Sequence, residues 1–126
     1  MDLSSLQVSQ DTKKMVLKSP VDGKVLVDDE GKEFYIELYS SDSVEYEKAE
    51  REMRKEAREL DGLSEDSDEK VKLYGKLLSK VTADHHLIFN GEKVKDISEV
   101  FGDRSFSWII VDVRAFIHTR KNFIAG

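Results

Sequence analysis

"EFYIELYSSDSVEYEKAERE", residues 33–52, changes its hydrophobic period halfway along. Phe34, Ile36 and Leu38 alternate with Tyr35, Glu37 and Tyr39, the period of two that places the first set on the core face of a strand. Beyond Ser40 the apolar residues fall at Tyr46, Ala49, Met53, Ala57 and Leu60, the three-and-four spacing of a helix. Asp42 and Glu45 have the D-x-x-E spacing of a capping box, with Ser43 as a competing N-cap. Gly62 suits the position just past the helix end. A strand that feeds directly into a capped helix predicts an α+β fold. Its small antiparallel sheet, built from N-terminal hairpins, packs on three to four helices.

The helix has little to bury. Twelve of the twenty residues 41–60 are charged, and two members of its apolar stripe are alanines. Glu47 stands four residues before Arg51, and Glu50 four before Arg54; each such pair contributes only about 0.2–0.5 kcal/mol. These pairs keep a helix wound and soluble, and do not fold a domain. The outer face meets water, another copy or a partner. Glu47, Glu50, Arg51, Arg54 and Arg58 are therefore candidates for weak, salt-sensitive self-association.

Outward from this stretch the signals are short. Residues 1–12 are polar and aperiodic and read as a flexible arm before one domain over 13–126. "MVLK" (15–18) and "KVLV" (24–27) read as strands, separated by the turn "SPVDG" (19–23). "DDEGK" with Gly31 closes a hairpin onto the 33–39 strand. A polar linker, "DGLSEDSD" (61–68), leads to a second helix with Ser67 as N-cap and Asp68 and Glu69 in its first turn. That helix is expected to reach Ala83, with Val71, Tyr74, Leu77, Leu78 and Val81 on its apolar face. Asn90-Gly91 marks a tight hairpin, and Asp96 with Glu99 caps a short helix, "ISEVF", closed by Gly102. A last helix is expected over 104–124, with Phe106, Ile109, Ile110, Val113, Phe116, Ile117 and Phe123 or Ile124 along one side.

Composition narrows the chemistry. The 126 residues carry a net charge of −6, with 37% charged and 39% hydrophobic residues. Residues 41–70 hold 12 acids and 6 bases, and residues 101–126 hold 2 acids and 4 bases, an asymmetry that could join copies. An acidic chain lacks the basic face that nucleic acid requires. There is no cysteine, so no disulfide, thiolate metal site or cysteine nucleophile is available. The first ten residues do not read as a signal peptide, and no apolar run approaches a membrane span. His85-His86 invites a metal reading. Adjacent side chains on a helix point about 100° apart, so one ion would struggle to use both, and the pair reads instead as a helix C-terminus, whose dipole favours His; no metal or other cofactor is expected. The carboxylates are interleaved with Lys and Arg, the pattern of a solvated face, and no catalytic constellation emerges. No catalysis is therefore expected from the residues.

In order along the chain stand "LKSPVDGKVL", "IELYSSDSVEY", a helix rich in Arg and Glu, "FNGEKV" and "WIIVDVRAFIHTRKNF". This order resembles the tail assembly chaperones of long, non-contractile-tailed (lambda-like) bacteriophages, over roughly residues 15–123. The matching residues are Pro20 and Gly23 of the opening turn, Ser43 and Tyr46 at the start of the charged helix, and Gly91-Glu92 of the hairpin. In the terminal helix Val113, Phe116, Arg120 and Phe123 match, while Asp112 stands where the family often has Gln. The resemblance implies a non-enzymatic protein of the host cell cytoplasm, absent from the mature virion. It would bind and solubilise the tape measure protein and help recruit tail tube protein, in part through a frameshift-extended form. Self-association into rings or spirals would accompany this. Exposed aromatic and basic residues would bind the partner: Tyr46, Trp108, Phe116, Arg120 and Phe123. A small acidic adaptor or inhibitor of a basic bacterial partner is the alternative.

Overall fold

The computed structural model describes residues 2–59 and 68–124. The architecture is α+β. Strands β1 (Lys13–Val16) and β2 (Tyr35–Leu38) pair antiparallel, with Met15 opposite Ile36. Helix α1 (Val44–Glu59) follows, then α2 (Asp68–Lys80) and β3 (Thr82–His86). The hairpin β4 (Ile88–Phe89) and β5 (Glu92–Lys93), the short helix α3 (Ser98–Phe101) and helix α4 (Ser107–Ile117) complete the chain. The sheet order is β1-β2-β3, so the alternating strand is central. Its inward set is the expected one: Ile36 and Leu38 are fully buried and Phe34 packs against the same core. Leu77, Leu78, Val81, Phe101, Ile109, Val113 and Ile117 close over that face.

Gly23, Gly31 and the pair Asn90-Gly91 all have positive φ, at the turns where the sequence placed them. Two positive φ values in succession at Asn90-Gly91 give the hairpin turn whose twist matches its strands. Residues 24–27 do not form a full strand. Only Val25 and Val27 make isolated bridges, to Lys18 and Glu33. Here three segments meet in a ring of backbone bonds: Leu17 N–H donates to Phe34, Phe34 to Leu26 and Leu26 to Leu17. The ring uses the groups that a longer ladder would need. In the N-terminal arm, a 3-10 turn spans Leu3–Leu6 and Val8 bridges Ile124.

The strand-to-helix turn departs from the D-x-x-E reading. Ser43 is the cap: its Oγ accepts from Tyr46 N–H (3.1 Å) and donates to the Ser40 carbonyl (2.6 Å). Asp42 instead faces the chain end, where Arg120 Nε donates to it at 2.9 Å. Gly62, Leu60 and Ser67 lie outside the described residues.

The second helix stops at Lys80, not Ala83. Thr82 Oγ1 donates to the Leu78 carbonyl and Val81 N–H tightens onto it, ending the helix. Residues 82–86 then pair with β2, whose outward backbone would otherwise lack a partner. On a strand, His85 and His86 point to opposite faces. His85 Nε2 lies 2.9 Å from the Val94 carbonyl, and buried His86 lies 2.8 Å from Asp28 Oδ2. Among the described residues no group of His, Asp and Glu converges on a metal-sized site.

Asp28 holds the 28–32 loop against β3. Its Oδ1 accepts from Glu30 and Lys32 N–H, each at 2.9 Å, while Oδ2 meets His86. The His86 contact, then the Lys32 amide, lowers its pKa from the ordinary value. A carboxylate depressed in the folded state stabilises above its unfolded pKa, about 3.9, and loses that effect as pH falls through the lower folded value. Asp28→Asn is therefore expected to unfold at lower urea than wild type near neutrality, with the gap narrowing as pH falls below the ordinary carboxylate value of about 3.9. Urea midpoints measured across that range check it; a gap independent of pH would contradict it.

Candidate binding surface

Helix α4, "SWIIVDVRAFI", has more apolar surface than one core can use. Trp108, Ile109, Ile110 and Val111 are consecutive, and at about 100° per residue they cannot share one face. Ile109, Val113 and Ile117, spaced by four, are the buried set. The other apolar residues spread over the two flanks of the helix.

On one flank Trp108, Ala115 and Phe116 line a groove of about 640 Å3, facing Met15–Pro20 of β1 and its following turn. Both aromatics are half-buried and touch the core. β1 is an edge strand, and Lys13, Lys14 and Lys18 stand exposed along it. Charged edges of this kind oppose strand-to-strand aggregation. On the other flank Ile110, Val111 and Arg114 line a groove of about 720 Å3, closed by Met53 and Ala57 of α1 and by Val71 and Tyr74 of α2. Val111 is 64% exposed. Arg114 lies over the Tyr74 ring, 5.1 Å from its centroid. Burial pushes the Tyr74 hydroxyl pKa up.

The five aromatic and basic residues expected to bind a partner do not form one site. Trp108 and Phe116 come together on the β1 side. Tyr46 is half-buried against His118, in an edge-on contact at 5.7 Å. Arg120 is exposed and paired with Asp42. Phe123 is 0% exposed, contrary to the exposure expected of it. The expected helix over 104–124 breaks: Arg104–Phe106 and Arg120–Phe123 are 3-10 turns flanking α4. Asn122 Nδ2 donates to the Phe116 carbonyl, and Phe123 folds back edge-on to Phe116 at 5.4 Å. The second groove was missed. Its signal was the run of four apolar residues at 108–111, too wide for one buried stripe.

The charged helix spends its charges mostly at home. Glu47 pairs with Arg51 and Glu50 with Arg54, as spaced, while Arg58 Nε donates to the Arg54 carbonyl. Glu56 pairs with Lys76, and Glu52 with Lys80, across to α2. Ala49 is the one buried residue among those described in α1, small enough to bring α1 close to α2. The acidic middle and basic end also meet within the chain, through Asp42–Arg120 and Asp68–Arg104. These pairs reduce the charge left for joining copies.

No family model, no curated protein and no solved structure matches this chain.

Proposed function

We propose that this chain is a non-enzymatic tail assembly chaperone that binds a phage tape measure protein and keeps it in solution until the tail tube grows. The observation that carries this is α4, whose two apolar flanks, partly buried at Trp108, Ile110 and Phe116, both open onto grooves while Ile109, Val113 and Ile117 fill the core. A protein that must hold an amphipathic rod needs exposed apolar surface. It must also avoid aggregating, and the paired charges of α1 supply solubility without a sticky face. The order of motifs from Pro20 to Phe123 supplies the partner's identity. In this role the chain works in the host cytoplasm and does not enter the virion. Recruitment of tube protein would fall to a frameshift-extended form. Weak self-association through Glu47, Glu50, Arg51, Arg54 and Arg58 would act only while copies are concentrated along the rod.

Coexpression tests it. The tape measure protein of the same genome is expected to be insoluble alone and soluble with this chain. A tape measure protein that stays insoluble, or is equally soluble without the chain, would overturn the proposal.

A further inference from the structure

We infer that the groove between α1, α2 and α4 is a docking site for an amphipathic helix whose apolar stripe is flanked by acidic residues. This deepens the chaperone reading, giving the partner's local chemistry, but stands on the groove alone.

The walls are helices, and that decides the shape of the occupant. An extended segment entering here would find few open backbone groups to pair with, because Met53, Leu73, Tyr74, Val111 and Arg114 lie inside their helices and bond within them. Its N–H and C=O groups would be buried unpaired, at a cost of about 1–3 kcal/mol each. A helix arrives with its backbone satisfied and can lay an apolar stripe against Met53, Ala57, Ile110 and Val111.

The charge of the rim decides the flanks. In a chain of net charge −6, this groove is lined by Lys70, Arg104 and Arg114 and, among the described residues, by no carboxylate. Arg114 rests on Tyr74 with no described carboxylate within ion-pair distance. Arg104 is held by Asp68 at 2.8 Å. Both members of that pair are exposed, and such pairs are worth only about 0–1 kcal/mol, so an incoming carboxylate can exchange for Asp68. Basic flanks would be repelled by the same rim, which gives the site direction as well as affinity.

The test uses the full chain and a synthetic three-heptad helix with Leu at the a and d positions and Glu at e and g, against a twin with Lys replacing Glu. Calorimetry is expected to show the Glu peptide binding at least about tenfold tighter than the Lys peptide in low salt, with the gap shrinking near 0.5 M salt. Methyl shifts should centre on Met53, Ile110 and Val111. Val111→Asp and Ala57→Glu, both at exposed positions, should each weaken the Glu peptide about tenfold with the fold unchanged by circular dichroism. Arg114→Glu should reverse the preference between the peptides. No binding, equal binding of both peptides, or shifts confined to the Trp108 groove would overturn the inference. So would a wild-type dimer that Val111→Asp abolishes, since a second copy would then occupy the groove. No tape measure protein is needed, so this result and the coexpression result can fail separately.

Discussion

Phe123→Ala is expected to destabilise the fold by about 3–5 kcal/mol, the usual cost of removing a fully buried ring. In a domain of this size that lowers the melting temperature by roughly 10–20 °C. Phe123 is 0% exposed and sits edge-on to Phe116. Its carbonyl accepts from Ser9 N–H at 2.7 Å, next to the Val8–Ile124 bridge, so the backbone that the buried ring holds in place also receives the segment around Val8 and Ser9. Phe123→Leu keeps most of the volume and should cost about 1.5 kcal/mol or less. Thermal melts of the two variants check this; an alanine variant as stable as wild type would contradict the burial. The consequence for function is practical. Lost binding in Phe123→Ala would report a damaged fold rather than a lost contact, so probes of binding belong at exposed α4 positions.

Gly75→Ala is the second large effect. Propensity alone says it should stabilise α2 by about 1 kcal/mol. Packing says the opposite. A Cβ on Gly75 would lie 2.9 Å from the Phe101 carbonyl carbon, 3.0 Å from its oxygen and 3.1 Å from Gly102 N. These are backbone atoms at the end of α3 and cannot swing aside. Overpacking costs about 1–3 kcal/mol, and here the upper part of that range applies because α2 and α3 must separate. The net expectation is a loss of about 2 kcal/mol, read as a lower urea midpoint with an unchanged slope. An unchanged or raised midpoint would mean that α3 moves freely against α2.

Local rules made much of this fold legible. The alternation at 33–39 named the central strand and its buried face. Positive-φ turns at Gly23, Gly31 and Asn90-Gly91 needed only residue chemistry. What failed was what partners decide. Residues 82–86 carry no strand pattern, since Ala83 and Asp84 are exposed and His85 half-buried. They are a strand because β2 has a second edge to fill. Ser43 rather than Asp42 caps α1 because Asp42 finds Arg120, 78 residues away. The end of α4 was hidden for the same reason: Phe123 turns back to fill a core that the sequence does not display. At the candidate surface, Trp108 and Phe116 were legible as aromatics on a terminal helix. The groove of Met53, Ala57, Val111 and Arg114 was not, because three separate helices build it.

The central claim is that the flanks of α4 hold the tape measure protein. Its most direct test is the soluble yield of that protein coexpressed with wild type, with Val111→Asp, with Ala115→Asp, and with Arg51→Glu/Arg54→Glu on the outer face of α1. Val111 and Ala115 are exposed and line the two grooves, so their variants should fold. Solubility is expected to fall several-fold with at least one α4 variant and to survive the α1 change, which touches only pairs worth about 0.2–0.5 kcal/mol each. Full solubility with both α4 variants, together with loss in the α1 variant, would contradict the claim and move the binding surface to the charged helix.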